Sequence, residues 1–364
     1  MSIKKMLVLF GVLVVGAVVF TACAGPTGPA GPAGPAGPAG PAGPEGPAGT
    51  SVTTADLSCT ECHNDTNVIS GKENSWSGSM HGSGHTTDYA GGRADCAGCH
   101  SGSGFTAALA AGVNNAAAQE SVDSNPSRVD CRSCHQIHTS YTGDDWALTT
   151  TDAVTLYAFQ DVTFDGGQGN LCANCHQPRT AFPEATDGIV KVTSTHWGAH
   201  HGPVASMLMG VGGGGGVEGK PASHATMVEN TCVACHLGEG AAHNFAPNVA
   251  ACTACHADAE NFDINGVQTE IGDKLAQVEQ ALIAKGLLEE VAEPGLVELV
   301  PGYMKNEYEL TTIGKVVEPV VGEYPEAEAA ALWNYLMVKE DKSMGVHNPT
   351  YANVLLDAAL EALK

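Results

Sequence analysis

Six copies of one five-residue pattern constrain this chain more than anything else in it. They read Cys59-Thr-Glu-Cys62-His63, Cys96-Ala-Gly-Cys99-His100, Cys131-Arg-Ser-Cys134-His135, Cys172-Ala-Asn-Cys175-His176, Cys232-Val-Ala-Cys235-His236 and Cys252-Thr-Ala-Cys255-His256. Two thiols three residues apart reach the two vinyl groups of one haem and form thioethers. The next residue, histidine, then lies under the ring as the proximal iron ligand. Zinc sites and disulfide frameworks also use paired cysteines, but neither requires a histidine after each second one. With 15 histidines in 364 residues, chance would supply all six at a frequency on the order of 10⁻⁸ to 10⁻⁹. The expected cofactor is six haem c. Among 13 cysteines only Cys23 is left over.

The composition agrees. Aromatic residues make up only 5% of the chain and glycine contributes 45 positions, so a core of side chains alone would be thin in large rings. Six flat apolar porphyrins supply what is missing. The expected fold is mainly α with much irregular structure: a multihaem cytochrome c domain over residues 51–260, organised around six haems, followed by a C-terminal helical bundle over residues 261–364. From first cysteine to first cysteine the intervals are 37, 35, 41, 60 and 20 residues. The last is too short for a separate haem module, so the fifth and sixth haems should be neighbours. The formal charge of −24 and pI near 4.8 exclude the basic footprint of a nucleic-acid binder and favour cationic partners.

Residues 1–22 read as a signal peptide. Lys4 and Lys5 form a positive n-region, and Met6–Phe20 is a 15-residue apolar run, short for a bilayer span and suited to an h-region. Phe20-Thr21-Ala22-Cys23 resembles a bacterial lipoprotein signal with Cys23 as the lipidated residue. Phe20 stands where leucine is usual, and the same features also fit a cleaved signal without lipid. Removing Lys4 and Lys5 leaves 14 basic against 40 acidic residues, a net charge of −26. Several acyl chains on one cysteine would anchor the protein stably.

Residues 23–50 carry this cysteine and a collagen-like spacer. From Gly25 to Gly49 glycine recurs at every third position, with proline after each up to Pro47. Proline in every triplet imposes polyproline II geometry. Three chains could wind into a short triple helix, giving a trimer. Alternatively, one chain forms a semi-rigid rod of about 75 Å at about 3.1 Å per residue, which needs no partner and is favoured.

Nine histidines lie outside the attachment motifs: His81, His85, His138, His196, His200, His201, His224, His243 and His347. Nine candidates for six distal positions is a surplus that a protein with open irons does not need. Methionine is the other common partner, but a methionine is more often packing than ligand.

Several stretches carry a family resemblance: Trp76–His81, the His138 that follows His135 by three, the run His196-Trp-Gly-Ala-His200-His201-Gly-Pro203, Ser223-His224, His243-Asn-Phe245 and Gly345-Val-His347-Asn-Pro349. With the six motifs, these segments resemble exported multihaem cytochromes related to cytochrome c nitrite reductase and hydroxylamine oxidoreductase, including surface cytochromes of metal-reducing bacteria. The resemblance implies distal ligands at His81, His138, His201, His224, His243 and His347. His200 is the close alternate to His201, with His196 third and His85 the spare.

The glycine-rich stretch Gly210–Gly219 nearly spells a phosphate loop, but Pro221 replaces the magnesium-binding hydroxyl and no strand precedes it. It reads as a mobile loop. Beyond Asn265 the chain holds no cysteine. Val267, Ile271, Leu275, Val278 and Leu282 form one apolar helical face, with Gly286 or Glu293-Pro294-Gly295 ending it. A second helix is expected from near Pro325 through Val338, and a third after Asn348-Pro349.

The expected function is electron transfer through mostly bis-histidine haems in an exported lipoprotein. It would be held at the membrane, periplasmic or cell-surface, and would exchange electrons with redox proteins or an extracellular acceptor. The alternative is a reductase of a small nitrogen or sulfur oxyanion at one open haem. The CxxCK motif common in such reductases is absent, and no catalytic residue stands out. A conductive filament is the structural reading.

Overall fold

Each of the five described CxxCH motifs lies in a single helical turn. Residues i, i+3 and i+4 share a helix face, so one turn aims both sulfurs and the ring in one direction. The histidine N–H closes that turn on the first cysteine: His135 N to Cys131 O at 2.8 Å, His176 N to Cys172 O at 2.9 Å, His256 N to Cys252 O at 2.8 Å.

The computed structural model describes residues 67–113, 125–141, 143–238, 242–301 and 308–364, with the backbone alone at 67–68, 293–301 and 308–315. The chain divides into two units, Met1–Ser51 and Val52–Lys364, and all described residues belong to the second. The signal peptide, the lipidated Cys23, the collagen-like spacer and the first attachment site (Cys59, Cys62, His63) lie outside them.

The first half is built of short helices joined by irregular chain. They are α1 (Asn67–Ser77), α2 (Met80–Ser83), α3 (Thr86–Ala90), α4 (Ala94–His100), α5 (Gly102–Ala110), α6 (Cys131–Cys134), α7 (Asn170–Ala173), α8 (Val204–Met209), α9 (Ser223–Met227) and α10 (Cys232–His236). Asp130 starts α6 with a capping box: its carboxylate accepts from Arg132 N and Ser133 N, and its own N–H donates to Ser133 Oγ. A small hairpin, β1 (Val154–Leu156) and β2 (Phe159–Phe164), packs with Ala173, Ala205, Leu208 and Ala222 into a local core. No described helix is long and apolar enough to cross a membrane.

The second half holds the main side-chain core. Helix α11 (Val267–Ala284) buries Ile271, Leu275, Val278 and Leu282, which is the face expected from the sequence. It ends before Gly286, whose φ of 74° is left-handed. Helix α12 (Glu326–Glu340) starts after Pro325 and is buried at every position from Ala329 to Val338. Helix α13 (Pro349–Ala362) is capped by Asn348, whose side chain accepts from Tyr351 N.

Between α11 and α12 the chain forms strands that the sequence reading did not anticipate. The long antiparallel hairpin β4 (Leu288–Pro301) with β5 (Tyr308–Pro319) precedes β6 (Gly322–Pro325), which pairs with β3 (Ile189–Val192). Glu293-Pro294-Gly295 interrupts the ladder between Ala292 and Leu296 as a bulge. That is where proline is tolerated in a strand.

This core reaches back into the first half of the described chain. Val192, Ala199 and Met207 join it, and Trp197 and Phe182 pack edge-on against Trp333 at 5.2 and 5.6 Å between ring centres. The glycine stretch is pinned rather than left free. Trp333 Nε1 donates to Gly212 O, Gly213 N donates to Tyr351 Oη, and Gly214 N donates to Asn334 Oδ1. Asn348 Nδ2 holds Met207 O and Lys220 O, each at 3.0 Å. Backbone groups of a loop that enters a core must find partners, and α12 and α13 supply them.

Candidate haem-binding centre

Each of the five described motif histidines faces one other histidine, and each time a different one. Ring centres lie 5.9 Å apart for His100–His200, 6.1 Å for His176–His81 and 6.4 Å for His135–His243. The other two pairs, His236–His347 and His256–His224, are 6.4 and 6.5 Å apart. Metal–imidazole bonds of about 2.0 Å on each side, with about 1.1 Å from ring nitrogen to ring centre, put two axial rings about 6.2 Å apart. The five separations straddle that value, so the residues present fit an iron held between each pair. The cysteines of these five motifs form no disulfide. Among the described residues no group of three or more His, Cys, Asp or Glu side chains converges as a bare-metal site.

The rings are oriented from behind. His135, His224 and His236 hold backbone carbonyls at their Nδ1 atoms, those of Trp146, Val346 and Phe245, each at 2.8 Å. An Nδ1–H bonded this way leaves Nε2 with its lone pair, the tautomer a metal needs. His347 Nδ1 instead meets the Asp341 carboxylate at 2.8 Å. His243 Nδ1 is buried without a hydrogen-bond partner.

The neutral form is favoured electrostatically. Burial, then the neighbouring His81, His236, His347 and His100, lower the pKa of His176 to about 4. Burial, followed by His201, His100 and Arg179, also lowers His200 to about 4. His347 runs the other way: burial lowers it, but the Asp341 charge and hydrogen bond outweigh that and raise it. Burial pushes the Cys134 thiol up to about 12. A cavity of about 470 Å³ beside His135 is lined by Thr106, Leu109, Arg132 and Ile137.

The attachment sites sit side by side. The Cys99 thiol donates to Asn174 O at 3.9 Å and the Cys175 thiol to Gly98 O at 3.8 Å, joining the second site to the fourth. The Cys232 thiol reaches Gly169 O at 3.8 Å, joining the fifth to the fourth. Phe245 lies where three sites meet. Its ring is 4.8 Å from that of His81 and 6.1 Å from that of His243, and its carbonyl takes the His236 ring. The turn Val249–Cys252 packs on α10, so the fifth and sixth sites are adjacent.

The remaining histidines are placed differently. His201 is exposed and bonds Glu340 Oε2 through Nδ1 at 2.7 Å, while its neighbour His200 faces His100. His200 holds a φ of 80°, a left-handed conformation costly for a residue with a Cβ. It is fixed there because Arg179 N donates to Ala199 O and Gly202 N donates to Glu340 O. His138, also left-handed at φ 64°, is exposed. Its loop is held by the Asp145 carboxylate, which accepts from His138 N and Ser140 N. His196 is exposed, and His85 is exposed beside Asp88. The roles of Asp341, Phe245 and Glu340 carried no sequence signal, since each depends on a partner far away in the chain or on the local turn.

No protein-family model matches the chain, and no curated protein matches it. Among solved structures the chain is similar to the outer cell wall cytochrome OcwA, with a TM-score of 0.48 and 20% identity, covering 80% of this chain and 50% of that one. The chain thus spans half the length of that cytochrome.

Proposed function

We propose that this chain is an exported electron-transfer protein that holds six haem c groups, each iron carrying two histidine ligands. The observation that carries the reading is the set of five one-to-one histidine pairs at 5.9 to 6.5 Å. Cysteine pairs at 96/99, 131/134, 172/175, 232/235 and 252/255 hold the porphyrins. The axial pairs are His100 with His200, His135 with His243, His176 with His81, His236 with His347 and His256 with His224. For the site at Cys59, Cys62 and His63 the partner we assign is His138, which the resemblance implies as a distal ligand and which none of the five pairs uses. His200 displaces His201 in this assignment because its ring, not its neighbour's, stands opposite His100.

Each group, when bound, supplies a one-electron iron couple. The protein's part is to saturate the iron so that nothing else binds there, and to pack attachment sites against one another. The Cys23 lipid would hold the protein at the membrane, the glycine–proline spacer would set the domain off from it, and redox proteins or an extracellular acceptor would be its partners.

The test is the spin state of the purified oxidised protein by electron paramagnetic resonance, with a carbon monoxide difference spectrum after reduction. Six low-spin haems indifferent to carbon monoxide support the relay. A high-spin haem that binds carbon monoxide refutes full saturation and directs attention to a reducible oxyanion at that iron.

A further inference from the structure

We infer that Asp341 is a positioning residue that lowers the potential of the haem between His236 and His347. The inference rests on the electron-transfer reading above.

Asp341 follows α12 and its side chain is 1% exposed. One oxygen lies 2.8 Å from His347 Nδ1 and the other accepts the Ser343 hydroxyl. The Ser343 Oγ in turn accepts the His347 backbone N–H at 3.2 Å. Carboxylate, hydroxyl and imidazole therefore form one closed unit within residues 341–347, and the ring cannot turn without breaking it. Burying a carboxylate is costly unless a partner repays it, and the partner here is the back of an axial ring.

Other paired rings are held differently from behind. His135, His224 and His236 face neutral carbonyls, and His243 faces none. A carboxylate draws the Nδ1 proton more strongly than a carbonyl does and gives the ring part of an imidazolate's charge. Nε2 becomes the stronger donor, and the more positive iron(III) is stabilised over iron(II). The couple is iron(III) plus one electron to iron(II), with the proton remaining on the ring.

The experiment compares wild-type holoprotein with Asp341→Asn and Ser343→Ala, using redox titrations followed by absorption and by low-temperature paramagnetic resonance. In Asp341→Asn one component rises by at least tenfold in its redox equilibrium, 59 mV for one electron. One low-spin signal changes with it. Ser343→Ala removes a proton donor from the carboxylate, leaves more charge on it and shifts the same component downward. An Asp341→Asn titration within threefold of wild type overturns the inference, as does a shift of both variants in one direction, which packing alone would produce. Where Asp341→Asn fails to mature, Ser343→Ala decides: a downward shift supports the inference and no shift overturns it. A high-spin, carbon monoxide-binding haem in the wild type would instead count against the relay reading, and is read independently of these shifts.

Discussion

Replacing His200 and His201 one at a time separates two neighbours that look equivalent in the chain. His200 stands 5.9 Å from His100, ring centre to ring centre. The His201 ring is 5.4 Å from that of His200 and is engaged with Glu340 at 2.7 Å. For His201 to take over as ligand, it must leave Glu340 and cross the left-handed backbone that fixes residue 200. His200→Ala should therefore open one iron of six, one part in six of the haem, and that fraction should turn high-spin and bind carbon monoxide. His201→Ala should leave all six low-spin. Its cost is an ion pair whose histidine is mostly exposed, about 0–1 kcal/mol after screening. Paramagnetic resonance and the carbon monoxide difference spectrum give the fraction, and thermal unfolding gives the cost. A high-spin haem in His201→Ala with none in His200→Ala would refute the assignment, and with it the use of ring separations to pair the ligands.

Three further outcomes follow from the same structure. Tyr351→Phe removes the hydroxyl that accepts from Gly213 N and donates to Val217 O. It should destabilise the protein by about 1–3 kcal/mol, seen as a lower Tm with an unchanged haem spectrum. Glu340 is pushed up by burial, but His201, Lys342 and Lys339 hold it net below its ordinary value of 4.5. A depressed carboxylate adds stability above about pH 4.5 that is lost as pH falls through its lower folded value, so Glu340→Gln should flatten the acid limb of a stability–pH curve. At Gly169 a Cβ would meet Thr231 Oγ1 at 2.0 Å and Cys232 Sγ at 3.2 Å. Gly169→Ala should cost about 1–3 kcal/mol by overpacking and alter the absorption of haem near the fourth and fifth sites, whereas unchanged stability would show that the contact yields freely.

What the chain determines on its own is local. Two thiols and a ring at i, i+3 and i+4 share one helical turn wherever they occur, so the attachment motifs are legible without any fold. The apolar face of α11 and the Asn348-Pro349 start of α13 are legible for the same reason. The surplus of histidines is also visible in the sequence, but not how they pair. His81 meets His176 and His347 meets His236 only because α2 and the segment after α12 are carried across the molecule by packing. The choice of His200 over His201 comes from Glu340, which arrives on α12 from the far end of the chain. The β4–β5 hairpin escaped the helical reading because its Pro294 looks like a stop, and becomes a bulge only once β5 lies alongside. Nor did the glycine stretch announce its anchors, since they are single side chains on α12 and α13. Spacing within a turn is a property of the covalent chain, whereas the pairing of distant rings and the partners behind them depend on tertiary packing.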